Sequence, residues 1–303
     1  MISIDLLFEA VLFGILLGCF YAAVSLGLSV AFGLLDVPYV AHPALLILGS
    51  YFTFLLSKTG LDPIICGLLL MPVFYLIGIA LYRFYYETFE RRSSDTGVRG
   101  LAFFFGIAFI IEVCLILVFG VDQRTVSATY IGSSLEIGEY RFPYRMLVAF
   151  GIAIFLTTLL TLYFSKTFNG RAIKAVGQDE GALRLMGANP VKIKQLAFGI
   201  ATAVNALAGA MLIIVGPVEP AMDRIYIGRT FCVVVLAGWM TPSLLLALTF
   251  VNGIGLAMRW PVFAAIIPEV LPRPLMPQGL ALNGIAMNGS RIIGPLLAGA
   301  IIG

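Results

Sequence analysis

Residues 10–35 read A-V-L-F-G-I-L-L-G-C-F-Y-A-A-V-S-L-G-L-S-V-A-F-G-L-L, and this uninterrupted apolar stretch decides the class of fold. It contains no charged side chain and is longer than the about 20 residues that a helix needs to cross a bilayer. It is also too long for the core of a signal peptide, and no Lys or Arg precedes Glu9. The stretch therefore predicts a membrane-spanning helix that is retained.

The composition of the whole chain agrees with this prediction. Of the 303 residues, 60% are hydrophobic and 12% are charged, whereas soluble proteins are roughly 45–50% apolar and about 25% charged. So few charges cannot cover the outside of a soluble fold of this size, which excludes a soluble enzyme, a nucleic-acid-binding protein and a disordered scaffold. The net charge of +3 is too small to suggest a polyanionic partner. Membrane lipid is the expected surrounding, and no nucleic acid is expected as a partner.

Further apolar tracts predict an all-α, polytopic transmembrane helical bundle of about eight spans. The tract 231–268 fits either one tilted crossing or two short ones. The predicted spans are Leu6–Leu34, Val37–Ser57, Pro63–Tyr82, Leu101–Gly120, Met146–Ser165, Gln195–Val215, a tract beginning at Phe231 and a final one from Leu280 to Gly303.

The basic residues predict the orientation of these spans. Residues 83–99 carry four Lys and Arg residues and residues 166–194 carry six, out of 19 in the chain. Short loops rich in Lys and Arg stay in the cytoplasm, and the two spans between these segments place both on the same side. The amino terminus and residues 121–145 are then expected outside.

Catalytic and metal-binding motifs are absent from the sequence. None of the five Lys follows a Gly, so no phosphate-binding loop of the G-x-x-x-x-G-K-[ST] type exists, and His42 is the only histidine. The four cysteines lie in apolar runs and read as small buried hydrophobes. No cofactor and no catalytic residue are therefore expected, and energy for any transport must come from a partner or an ion gradient.

The most informative segment is the basic loop 170–187, G-R-A-I-K-A-V-G-Q-D-E-G-A-L-R-L-M-G. We expect Asp179 to cap a helix start and Gly187 to adopt the left-handed conformation just after a helix. Asn189-Pro190 is typical of the N-cap and first position of the next helix. The spacing of the apolar residues favours one common helix face for Ile173, Val176, Leu183 and Met186.

A short amphipathic helix between two spans suits either of two surfaces. It could fit a groove in a soluble partner, or it could rest on anionic lipid headgroups. The residues alone leave both alternatives open.

Two separated regions resemble the permeases of branched-chain amino-acid (Liv-type) ABC importers. The loop, followed by Leu196-Ala-Phe-Gly-Ile-Ala and Ala206-Leu-Ala-Gly-Ala-Met-Leu, resembles the cytoplasmic coupling loop of that family. Near the amino terminus, Gly14-Ile-Leu-Leu-Gly18, Tyr21-Ala-Ala-Val-Ser-Leu-Gly27-Leu and Phe32-Gly33 are similar to its opening span. Val37-Pro-Tyr-Val-Ala41-His42 is similar to its V-N-F-A-H-G segment, with Pro38 in place of the Asn and Pro43 in place of the Gly. The likeness covers about residues 5–238.

The resemblance implies a multi-pass protein of the bacterial inner membrane that moves branched-chain or other hydrophobic amino acids. It implies as partners two cytosolic ABC ATPase subunits, a second permease subunit and a periplasmic substrate-binding protein, with ATP hydrolysis in the separate subunits. By the same resemblance, the ATPase-contacting residues are Gly170, Arg171, Lys174, Gln178, Asp179, Arg184 and Gly187.

The carboxyl-terminal part resembles a different family. The sequence departs from the permease pattern after Gly238, and its segments 256–261, 267–274, 281–283 and 288–295 resemble part of a major facilitator transporter. We therefore expect an ABC-permease-like domain over residues 1–238 and a facilitator-like fragment over residues 239–303. A secondary transporter and a fusion product that transports nothing are the alternative functions.

Three residues are candidates for the substrate path. His42 follows Pro38 and is interpreted as a packing histidine in preference to a substrate contact or a proton relay. Glu112 lies midway along a predicted span and suits a polar contact, a subunit interface or the path. Asn205 shares a helix face with Gln195, Thr202 and Gly209, which favours helix packing over pore lining. The interruption between Pro38 and Pro43 could also offer free backbone groups to a zwitterionic substrate.

Overall fold

The computed structural model describes residues 4–91, 97–137, 140–224 and 226–227. The compact unit discussed below begins at Ile15. The described helices are α1 (Ile4–Gly33, of which Ile15–Gly33 belong to this unit), α2 (His42–Ser57), α3 (Pro63–Tyr85), α4 (Gly97–Phe119), α5 (Tyr144–Lys166), α6 (Phe168–Gln178), α7 (Glu180–Leu185) and α8 (Pro190–Val215). A π-helical turn, Tyr86–Glu90, extends α3, a 3-10 turn, Pro220–Met222, follows α8, and a β-hairpin pairs β1 (Ser134–Ile137) with β2 (Tyr140–Pro143).

Among the described residues, five helices are long and apolar enough to cross a membrane. They are Val11–Gly33, Pro63–Glu90, Arg99–Phe119, Tyr144–Lys166 and Pro190–Val215. This confirms the prediction of an all-α, multi-pass membrane protein. The two predicted carboxyl-terminal spans and the predicted domain boundary at residue 238 lie outside the described residues.

The predicted span Val37–Ser57 is wrong at its start, because α2 begins only at His42 and has 16 residues. Pro43 has no backbone N–H and its ring would clash with a helical carbonyl four residues earlier, so it fits the first turn of α2 but not the interior of a helix that starts at Val37. The chain turns at Asp36, whose φ is +55°, and then runs back along α1 through residues 37–41. His42 reaches the carbonyl oxygen of Val24, about 14 Å inside the end of α1 at 1.5 Å per residue. The helix α2 therefore starts in the interior of the bundle.

The helix α8 is the centre around which α1, α2 and α3 pack. In the most apolar 18-residue stretch of α8, 89% of the residues are buried. Each of these three helices approaches α8 through a glycine. Gly27 of α1 lies against Ala201 and Gly78 of α3 against Thr202, with no room for a Cβ atom, and Gly49 of α2 lies against Ala206 with little room for one. Small residues at such crossings are typical of membrane bundles, where close van der Waals packing holds the helices together.

Contacts between distant segments follow the predicted topology. Arg124 and Val218 exchange two backbone hydrogen bonds of 2.8 and 2.9 Å, so residues 121–145 and the end of α8 lie on one side. At the opposite end of α8, Lys194 contacts Glu90, which ends the π-helical turn after α3. This grouping is the one that alternating crossings require.

Candidate functional site

The segment Thr167–Asn189, here called the α6–α7 loop, is built of two short helices whose ends are hydrogen-bonded. Thr167 begins α6: its Oγ1 accepts a hydrogen bond from the Gly170 amide (3.0 Å) and donates to the Tyr163 carbonyl (2.7 Å). Asp179 ends α6 and caps α7, since its Oδ1 accepts from the Ala182 amide at 2.9 Å. The predicted cap at Asp179 is confirmed.

The end of the α6–α7 loop is equally well defined. Gly187 has φ +80°, and the amides of Gly187 and Ala188 donate to the carbonyls of Arg184 and Leu183. This is the Schellman arrangement, in which a left-handed glycine closes a helix. Asn189 then caps α8 by accepting from the amides of Val191 and Lys192, with Pro190 as the first helical residue. Both predicted signals are confirmed, and the loop is a structured element at both ends.

The predicted apolar face of the loop is correct for three of its four residues. Ile173, Val176 and Leu183 are buried, but Met186 is 82% exposed. Met186 is the C-cap of α7, and its backbone angles (φ −80°, ψ +5°) are no longer α-helical. Helical spacing therefore does not predict the direction of its side chain. Together with Leu185, which is 91% exposed, it forms an apolar tip at the end of α7.

The residues predicted to contact an ATPase are divided between surface and interior. Gly170 is buried against the backbone of Tyr163 and Phe164, so it fixes α6 against the end of α5. The others lie on the outside of the loop: Arg171, Lys174, Gln178, Asp179, Arg184 and Gly187. Arg171, Lys174 and Gln178 follow a helical spacing that places them on one exposed face of α6.

An ion-pair cluster joins the loop to the base of the bundle. Lys194 Nζ lies 2.7 Å from Glu90 Oε1 and 2.9 Å from Glu180 Oε2, and the Tyr82 hydroxyl donates to Glu90 Oε2 at 2.8 Å. Burial raises the pKa of Glu180, but the hydrogen bonds and charges of Lys194 and Arg184 outweigh it and hold that pKa below its ordinary value. Sequence reasoning missed Lys194 and Glu90, because no local pattern relates residues so far apart in the chain.

The structure brings His42 and Asn205 together inside the bundle. His42 is completely buried, its Nε2 lies 2.8 Å from the Val24 carbonyl oxygen, and its own carbonyl accepts from Asn205 Nδ2 at 3.4 Å. The hydroxyls of Tyr39 and Thr202 form a 2.9 Å hydrogen bond beside them. His42 Nδ1 and Asn205 Oδ1 have no hydrogen-bond partner among the described residues. In this conformation the two side chains pack, and the site is closed to solvent.

Glu112 lies apart from His42 and Asn205. Its side chain is 6% exposed and forms a 2.7 Å ion pair with Arg224, whose side chain is 67% exposed. Asp223 is buried nearby, and burial together with the Glu112 carboxylate raises the pKa of Asp223 to about 6. Glu112 therefore makes a polar contact between α4 and the segment after α8, which is one of the roles that the sequence leaves open.

Comparison with known proteins adds the family. The family model described as "Branched-chain amino acid transport system / permease component" matches residues 10–303. This match includes residues 239–303, and nothing supports the resemblance of that tract to a major facilitator. No solved structure matches the chain significantly.

Curated relatives come from bacteria and an archaeon. The high-affinity branched-chain amino acid transport system permease protein BraD of Pseudomonas aeruginosa is 25% identical over 236 residues, covering 74% of this chain and 77% of the relative. LivH of Escherichia coli is 25% identical over 239 residues, with the same coverage. The probable branched-chain amino acid transport permease protein LivH of Methanocaldococcus jannaschii is 23% identical over 225 residues, or 71% and 69% of the two chains. The chain is therefore a membrane-spanning member of the family of permease components of branched-chain amino acid transport systems.

Proposed function

We propose that this chain is a permease subunit of an ABC importer and carries branched-chain or other hydrophobic amino acids across the bacterial inner membrane. Two cytosolic ATPase subunits hydrolyse ATP for it, a second permease subunit completes the path, and a periplasmic binding protein delivers the amino acid. The family match and the names of the relatives support the substrate class and the type of system.

The observation that carries the proposal is the shape of the α6–α7 loop. It lies between two membrane-crossing helices, is hydrogen-bonded at each helix end, and exposes the apolar pair Leu185 and Met186 at its tip. Exposed apolar side chains on a short amphipathic element are what a groove in a partner protein binds. A loop that merely connected two spans would need neither the caps nor the apolar tip.

The solute path is proposed to follow the start of α2. This helix begins inside the bundle, as do the broken helices that form substrate sites in other transporters. His42 and Asn205 meet there, and each keeps one buried polar atom without a described partner. We include Glu112 in the path as the buried carboxylate nearer the outer end of α4.

Co-purification with candidate ABC ATPase subunits from the source organism tests the docking role of the tip. In the variant Leu185→Asp/Met186→Asp, the ATPase recovered with the permease should fall about tenfold, as expected when apolar anchors of an interface are lost. Phe168→Asp is the matched control, because Phe168 is 77% exposed at the other end of the loop. Equal recovery from the tip variant and the wild type would show that the tip does not dock. A loss from Phe168→Asp alone would place the docking surface at the start of α6 and contradict the role of the tip.

A further inference from the structure

Lys194 occupies a position that the cytoplasmic loop and the helical bundle share. Its ammonium lies between two carboxylates, Glu180 at the first position of α7 and Glu90 at the end of the π-helical turn after α3. The Lys194 side chain is 11% exposed, against 21% for Glu90 and 33% for Glu180. Partly desolvated pairs are screened less by salt than surface pairs. This cluster is therefore a specific connection between three elements.

The backbone on the bundle side is shaped for this connection. The π-helical turn Tyr86–Glu90 widens the end of α3, and such turns are rare and are frequently found at functional sites. Tyr82 lies about one helical turn before the π-helical turn, and its hydroxyl donates a 2.8 Å hydrogen bond to Glu90 Oε2. Both oxygens of Glu90 are therefore used, one toward α3 and one toward Lys194.

From Lys194 the contacts continue into the closed centre of the bundle. Lys194 belongs to the first turns of α8, and farther along the same helix Thr202 packs against Gly78 of α3 and hydrogen-bonds Tyr39 at 2.9 Å. Tyr39 lies three residues before His42, where α2 begins. A displacement of α7 that pulls on Lys194 would thus shift α8 and α3 together and act on the start of α2.

We propose that Lys194 is the positioning residue that transmits movement of the α6–α7 loop to the solute path, through its paired contacts with Glu180 and Glu90. This inference rests on the proposed function, because it needs an ATPase that moves the loop. The docking surface itself lies elsewhere, at the exposed tip of α7, so loss of Lys194 leaves ATPase binding intact. What is lost is the coupling between ATP hydrolysis and solute movement.

The test uses the complete transporter in proteoliposomes: this chain, its second permease subunit, the ATPases and the binding protein loaded with labelled leucine. ATP hydrolysis and leucine uptake are measured together, and their ratio is the readout. In Lys194→Met we expect ATPase co-purification as in the wild type and about tenfold less leucine per ATP, within the range of coupling strengths between distant sites. Lys194→Arg keeps the charge and should restore the ratio. Lys192→Met is the matched control, since Lys192 is exposed and forms no ion pair within the described ranges.

Each outcome decides a distinct point. A Lys194→Met variant with the wild-type ratio, or one that loses its ATPase, overturns the transmission role while leaving the proposed function intact. The same holds if Lys192→Met lowers the ratio equally. If Lys194→Met fails to fold, Glu180→Gln and Glu90→Gln take its place, since each leaves Lys194 one carboxylate; an unchanged ratio in both contradicts the proposal. A wild-type complex without ATP-dependent uptake overturns the proposed function and this inference together.

Discussion

Gly177 of α6 lies against the backbone carbonyl oxygen of Leu34, the residue that follows the end of α1, and leaves no space for a Cβ atom. The α6–α7 loop is thus held from two directions, by α1 at Gly177 and by α8 and the end of α3 at Lys194. A loop fixed in this way moves with the helices that it contacts.

The contact between Gly177 and Leu34 predicts a strong effect of a single methyl group. Gly177→Ala should push α6 away from α1 and lower leucine uptake in proteoliposomes at least severalfold, because the clash is with backbone rather than with a side chain that can rotate. Gly151→Ala is the control: Gly151 lies in α5 with nothing near its Cβ position, and an alanine there should stabilise the helix by about 0.5–1 kcal/mol. Normal uptake by Gly177→Ala would show that α6 is not pressed against α1.

The buried histidine predicts a separation between stability and transport. His42→Ala should lower the free energy of unfolding by about 2–4 kcal/mol, through a cavity and a lost hydrogen bond to Val24. His42→Gln keeps a nitrogen that can donate to the Val24 carbonyl and should unfold close to the wild-type temperature. The measurement is thermal unfolding in nanodiscs, followed by uptake per folded protein. If His42 belongs to the solute path, His42→Gln will be as stable as the wild type but will take up leucine more slowly. A variant that is stable and takes up leucine at the wild-type rate would show that His42 is not part of the path.

The Glu112–Arg224 pair predicts an asymmetric response to mutation. Arg224→Ala leaves a buried carboxylate without its counter-charge and should destabilise the protein by about 1–3 kcal/mol. Glu112→Gln leaves behind an arginine that is already mostly exposed, and water can solvate it at little cost. Thermal unfolding of the two single variants gives the order. Equal destabilisation, or the reverse order, would mean that the ion pair does not compensate the burial of Glu112.

Asp223 predicts a pH dependence of stability. Its pKa is raised from an ordinary 3.8 to about 6, first by burial and then by Glu112. Because the folded protein then binds more protons than the unfolded chain in this window, the free energy of unfolding should decrease as the pH rises from 4 to 6. Asp223→Asn should remove this part of the slope and be more stable than the wild type at neutral pH. Asp122→Asn, at an exposed position, should leave the slope unchanged.

The features that could be predicted from the sequence are those set by neighbouring residues. Asp179, Gly187 and Asn189-Pro190 act through hydrogen bonds and backbone angles within a few positions, so their types and spacing were sufficient. Hydropathy places the start of α2 too early because residues 37–41 are apolar, and it does not register that Pro43 fits only the first turn of a helix. Helical spacing places Met186 on the buried face, but this spacing does not apply beyond Leu185, where α7 ends.

The contacts that carry the proposed mechanism could not be predicted in this way. Lys194 and Glu90 are 104 positions apart, and each alone is an ordinary charged residue near the end of an apolar span. Their pairing depends on the π-helical turn Tyr86–Glu90, and no local sequence pattern predicts that turn. The meeting of His42 with Asn205 likewise depends on how α2 returns into the bundle, although the sequence shows each of them as a polar residue within an apolar span.

Leucine uptake driven by ATP tests the central claim most directly. Proteoliposomes would contain this chain, its second permease subunit and the ATPases, with ATP sealed inside and the leucine-loaded binding protein outside. We predict accumulation of labelled leucine that stops when ATP or the ATPases are left out, and that falls sharply in Leu185→Asp/Met186→Asp. Accumulation that continues without ATP and ATPases, or none in the complete system, would contradict the assignment of this chain as an ATPase-driven permease.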